Sequence, residues 1–141
     1  MTDPGPVTDG GMLRKVDAVT VPVPDLDAGL RFYGTVLGHR LLWRNDAAGQ
    51  AGLGLPGSDT ELVLTTRQAY EPDWLVDRVE DAVEVIVRAG GTLVRGPFAL
   101  PVGTGAVVRD PFGTELVLLD LHRGRYPTGP DGDVTGVAPA T

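Results

Sequence analysis

Apolar and polar positions in this chain follow two periods, and the whole pattern occurs twice. An apolar run over residues 16–23 predicts a strand. The acidic Asp25 and Asp27 follow. Leu26, Leu30, Tyr33 and Leu37 then recur at helix spacing, and Gly38 is placed to end that helix. Shorter strand-like runs come next, at 40–43, 51–55 and 61–66. Gly, Pro, Asn and Asp separate them, as tight turns require. The second half begins again at Trp74-Leu75-Val76. Glu80 and Asp81 accompany a helical stripe of Val79, Val83, Ile86 and Val87 that stops at Gly90-Gly91. Runs at 92–95, 105–109 and 115–121 complete it. Aligning Val23 with Val76 brings the two helices into register. The closing strands also match, Thr60-Glu61-Leu62-Val63-Leu64 against Thr114-Glu115-Leu116-Val117-Leu118.

Each half therefore predicts a strand, a helix and three strands. The expected class is α+β, with paired βαβββ modules forming an open half-barrel. One such sheet with a single covering helix cannot bury both faces. Two copies side by side can curl into a sheet with helices outside and a concave inner face, which is a natural pocket. The expected boundaries are a flexible tail over 1–12, one domain over 13–123 (repeats at about 13–67 and 70–123) and a second flexible tail over 124–141. Both tails are rich in Gly, Pro, Asp and Thr and bury too little apolar surface to offset their ordering entropy.

Composition narrows the function. The 141 residues are 42% hydrophobic and 22% charged, which suits one domain with its own core. The net charge of −7, with Arg14-Lys15 as the only adjacent basic pair, speaks against nucleic acid and against anionic membranes. With no cysteine there is no disulfide, thiolate zinc site or cysteine nucleophile. No apolar run approaches the roughly 18 residues of a membrane span. The polar, acidic start lacks the features of a signal peptide, so a cytoplasmic location is expected.

Two segments give the pattern a family likeness. Val23-Pro24-Asp25-Leu26, Phe32-Tyr33 and Leu37-Gly38 follow an apolar first strand, and Asp110-Pro111-Phe112-Gly113 forms a turn before the last strand. In order and spacing the chain resembles the vicinal-oxygen-chelate superfamily, the glyoxalase/bleomycin-resistance group, over roughly 16–121. The Asp-Pro-Phe-Gly turn also has a structural rationale. Asp110 can accept backbone amides two residues on, Pro111 presets φ and Gly113 permits positive φ.

The resemblance implies a divalent metal held by four inward-facing His or Glu side chains on the first and last strands of each half, acting as a Lewis acid. It places those positions at Ala18, Val63, Glu71 and Val117, three of them apolar. Strand alternation offers Glu61 and Glu115 as partial substitutes, sharing faces with Val63 and Val117. A metal is thus disfavoured, and no other cofactor is expected. His39 and His122 fall outside the ligand set. Gly52-Leu53-Gly54 is a lone G-x-G followed by a turn, not a phosphate-cradling loop.

Two functions remain. The first is a metal-independent module of the bleomycin-resistance type that binds an aromatic or cationic compound. Its expected pocket comprises Ala18, Thr20, Trp43, Glu61, Val63, Glu71, Asp73, Trp74, Phe98, Glu115 and Val117. The alternative is a glyoxalase-like lyase or isomerase with a non-standard or absent metal site. Glu61, Glu71 and Glu115 are its candidate catalytic groups. A ring-cleaving dioxygenase is least expected, because the two histidines are misplaced for an iron site. The resemblance also implies a homodimer, which exposed sheet edges at the rim would favour.

Overall fold

The computed structural model describes residues 11–122. The predicted tails lie outside them, apart from Gly11 and Met12. Among these residues, eight strands form one open sheet. They are β1 (Lys15–Pro22), β2 (Leu41–Asn45), β3 (Gln50–Leu55), β4 (Ser58–Thr65), β5 (Glu71–Leu75), β6 (Thr92–Leu100), β7 (Gly103–Arg109) and β8 (Glu115–Leu119). Their order across the sheet is β2-β3-β4-β1-β5-β8-β7-β6. The two halves therefore meet where β1 pairs antiparallel with β5, while β1–β4 and β5–β8 are the parallel rungs within each half. The paired βαβββ architecture is present as the repeat predicted.

The helices cover the convex face. Val79–Arg88 forms helix α2, and its Val79 and Ala82 pack with Val76, Ala106, Val108 and Leu118 into one buried cluster. The first helix differs from its prediction. Only Leu26–Gly29 (α1) is α-helical, and Leu30–Val36 continues as a π-helix. The Leu37 amide accordingly donates to the Phe32 carbonyl, five residues back. The wider turn rotates the end of the stripe out of register. Leu26, Leu30 and Tyr33 pack on the cluster of Ala51, Leu53 and Leu64, while Leu37 is 50% exposed.

Local chemistry explains the joints. Asp25 caps α1 by accepting from the Ala28 amide at 2.7 Å. The cap of α2 comes from far along the chain. Buried Asp120 accepts from the Val79 amide at 2.8 Å and from the Thr104 amide at 3.0 Å, and its carboxylate also meets the His122 ring. In the turn before β8, Asp110 Oδ1 accepts from the Phe112 and Thr114 amides, both at 2.9 Å, and Gly113 takes φ +98°. No helix among the described residues is long and apolar enough to cross a membrane.

Candidate functional site

The concave face carries a cavity of about 310 Å³. Strand alternation decides who lines it, because side chains two apart share a face. From the first half come Asp17, Ala18 and Thr20 of β1, Trp43 of β2, Gln50 of β3, and Glu61 and Val63 of β4. Gln68 joins from the loop after β4. From the second half come Asp73, Leu100, Val102, Leu119 and Leu121. Among the described residues the lining thus holds three carboxylates, two carboxamides and one indole, but no Lys, Arg or His.

The strand ladders order these groups. Ala18 lies opposite Glu61 on one side and Asp73 on the other, and Asp73 lies opposite Val117. A row Glu61–Ala18–Asp73–Val117 therefore crosses the four central strands. The next row runs Trp43–Gly52–Val63–Thr20–Glu71. Trp43 reaches from its row to the first one, where its Nε1–H donates to Glu61 Oε1 at 2.5 Å. Thr20, which is buried, donates its hydroxyl to the Ala69 carbonyl at 2.7 Å. The Asp73 carboxyl is pushed up to about 7, first by burial and then by the neighbouring Glu71 and Asp17.

Six expected pocket residues line the cavity: Ala18, Thr20, Trp43, Glu61, Val63 and Asp73. Five do not. Trp74 comes directly after Asp73 and so points to the opposite face, where it packs against the α2 cluster. Glu115 is exposed at the start of β8 and pairs with Arg109 at 2.8 Å. Phe98 is 41% exposed and lies against Gly105, without lining the cavity. Glu71 acts on Asp73 through its charge without lining the cavity. Val117 stands in the Ala18 row, but Leu119 and Leu121 supply that wall. Glu61, Glu71 and Glu115 therefore do not converge.

The strand register spreads the expected metal positions over two neighbouring rows. Ala18 shares its row with Glu61 and Asp73, whereas Val63 and Glu71 belong to the Thr20 row. Across the antiparallel seam Ala18 faces Asp73 and Thr20 faces Glu71, so the equivalent positions Ala18 and Glu71 lie diagonally, in adjacent rows. The Ala18 row offers two carboxylates and two apolar side chains, and Glu61 is already engaged by Trp43. No group of three or more potential ligands occurs among the described residues. This donor set does not fit a four-ligand metal.

Several lining residues had no sequence signal. Gln50 and Gln68 are ordinary polar positions in sequence, and Leu100, Val102, Leu119 and Leu121 are ordinary apolar ones. Asp17 and Ala18 both line the cavity although they are adjacent, which strict alternation forbids and the irregularity in β1 allows. The histidines stay outside. His39 Nδ1 lies 3.0 Å from the Gly54 carbonyl, and His122 meets Asp120.

A family model described as the glyoxalase/bleomycin resistance protein/dioxygenase superfamily matches residues 15–118. The chain belongs to this superfamily. Solved structures with the same fold include the methylmalonyl-CoA epimerase of Mycobacterium tuberculosis. It is 19% identical with a TM-score of 0.61, over 81% of this chain and 92% of that one. Streptomyces coelicolor methylmalonyl-CoA epimerase, solved with 2-nitronate-propionyl-CoA, is 18% identical with a TM-score of 0.60, over 82% and 99%. A superfamily member from Vibrio splendidus is 14% identical with a TM-score of 0.55, over 73% and 95%. At these identities the likeness is one of fold. No curated protein sequence matches the chain.

Proposed function

We propose that this superfamily member is a metal-independent small-molecule receptor whose ligand is a compact organic cation with an aromatic or aliphatic body. The observation that supports it most is the charge of the cup. Asp17, Glu61 and Asp73 are among its lining residues, and Lys, Arg and His are not among the described ones, so the local field favours a ligand that brings positive charge. Trp43 offers a ring face for a cation, and Leu100, Val102, Leu119 and Leu121 offer an apolar wall for the remainder. The volume, near the lower end of ligand pockets, suits one or two fused rings. The same charge disfavours anionic ligands.

Calorimetry with 1-naphthylmethylammonium and its neutral counterpart 1-naphthylmethanol tests this reading. Saturable binding of the cation is expected, about tenfold tighter than the alcohol at pH 8. Its affinity should rise about tenfold from pH 6 to pH 8. Asp73 is mostly neutral below about 7 and ionised above it, while the ligand keeps its charge throughout. Treatment with EDTA should leave the affinity unchanged. Failure of the cation to bind, or preference for the alcohol, would overturn the reading. Loss of binding on chelation would overturn metal independence.

One observation supports a second reading, an isomerase or lyase. A carboxyl that titrates near 7 inside a cavity is poised for general acid–base work. Asp73 takes that role in place of the Glu61, Glu71 and Glu115 set, because Glu115 is outside the cup. Deuterium exchange from solvent into a carbon acid, lost in Asp73→Asn and kept in Glu115→Gln, would favour this reading over the receptor.

A further inference from the structure

A glycine with no evident role in the sequence holds the cup's shape. A Cβ on Gly52 would stand 2.2 Å from Trp43 Nε1, 2.4 Å from Trp43 Cε2 and 2.8 Å from Glu61 Oε1. No side chain fits there while the indole stays in place. Gly52 lacks the positive φ seen at Gly49 and Gly113, so space and not backbone conformation demands glycine at this position. The indole thus crosses β3 directly above Gly52 and directs its N–H to Glu61 on β4. An indole N–H can only donate, so the bond orients a carboxylate oxygen as acceptor.

The second half repeats the arrangement without its polar end. Phe98 faces Gly105 across the β6–β7 ladder, and a Cβ on Gly105 would stand 2.5 Å from Phe98 Cε2. Phenylalanine has no N–H to give, and Val117 occupies the row position on β8. An aromatic ring over a glycine is therefore common to both halves, but only the first couples the ring to an acid.

We propose that Gly52 is the specificity-determining residue of the cup. It is the slot for Trp43, whose N–H fixes Glu61, so that a bound cation sits over Ala18 between one oriented anion and Asp73. The proposal rests on the receptor reading and adds to it the device that sets the ligand's position.

The test uses full-length protein carrying Trp74→Phe, so that Trp43 alone emits. Gly52→Ala is compared with Gly57→Ala, where a Cβ meets nothing within 4 Å. In Gly52→Ala, acrylamide quenching of Trp43 should rise about twofold, and affinity for 1-naphthylmethylammonium should fall at least about tenfold, as overpacking of a fitted site predicts. Gly57→Ala should change neither. Trp43→Phe, read by calorimetry, keeps a ring and removes the donor. Its preference for the cation over the alcohol should narrow about fivefold, while affinity for the alcohol stays within about twofold. A folded Gly52→Ala with unchanged quenching and affinity overturns the proposal and leaves the receptor reading standing. So does an unchanged preference in Trp43→Phe, which decides the matter if Gly52→Ala does not fold. Absence of binding by the unmodified protein overturns the receptor reading, and this inference falls with it.

Discussion

The two halves share one plan and have divided the labour of the cup between them. The first half supplies Asp17, Thr20, Trp43, Gln50 and Glu61, together with Ala18 and Val63. The second supplies Leu119 from its last strand and Leu121 just beyond that strand, Leu100 and Val102 from the β6–β7 hairpin, and a single acid, Asp73. On the convex side the difference continues. A short α-turn and a π-helix cover the first half, and a regular α-helix covers the second. Backbone architecture constrains each half to the same strands. Which side chains point inward is left to each strand's own residues, and there the copies have separated.

The helix caps offer the sharpest way to break this comparison. Asp120 serves the second half from within the core, accepting two backbone amides and the His122 contacts. Asp120→Ala strands two buried donors and should cost about 3 kcal/mol in urea unfolding. Burial pushes the Asp120 carboxyl up, but the bonds from Val79, His122 and Thr104 outweigh it and hold it below 3.8. Its stabilisation is therefore present above that pH and lost as the solution is acidified further. The gap between wild type and variant should close at low pH.

Asp73→Asn should have the next largest effect, with the opposite sign. Its folded-state value of about 7 lies above the usual 3.8, so wild type loses stability as pH rises between those values. At pH 8 the variant should be about 2 kcal/mol more stable than wild type, less than the full shift implies because solvent screens a partly exposed carboxylate, with the gain vanishing near pH 4. A gain that does not depend on pH would separate Asp73 from the acidic cluster. The smallest effect is expected at Asp25, the exposed cap of the first half. Asp25→Ala should cost about 1 kcal/mol, roughly a third of the loss at Asp120. Equal losses at the two caps would remove the distinction between a local and a remote cap.

The strands and helices were legible in the sequence because periodicity and turn residues report local structure directly. Asp110-Pro111-Phe112-Gly113 is an example, since the turn it builds needs no partner from elsewhere. The π-helix was not legible. Leu26, Leu30, Tyr33 and Leu37 satisfy the α period, and only the packing reveals that Leu37 leaves the stripe. The cup was half legible. Trp43, Glu61 and Asp73 stood out by residue type, yet Trp74 stood out equally and faces the other way. Row membership depends on the β1–β5 register, a contact between halves that no local pattern encodes. Gly52 was visible only as part of a G-x-G, because the ring it accommodates belongs to another strand.

The antiparallel seam between β1 and β5 has an evolutionary consequence. Antiparallel pairing is the geometry in which a strand meets an identical copy of itself about a two-fold axis. The seam therefore has the geometry of a two-fold interface within one polypeptide. In a dimer of identical modules, each substitution would appear on both walls of the cavity. Joining the modules in one chain releases that constraint, so an indole and acids can accumulate on one wall while leucines accumulate on the other.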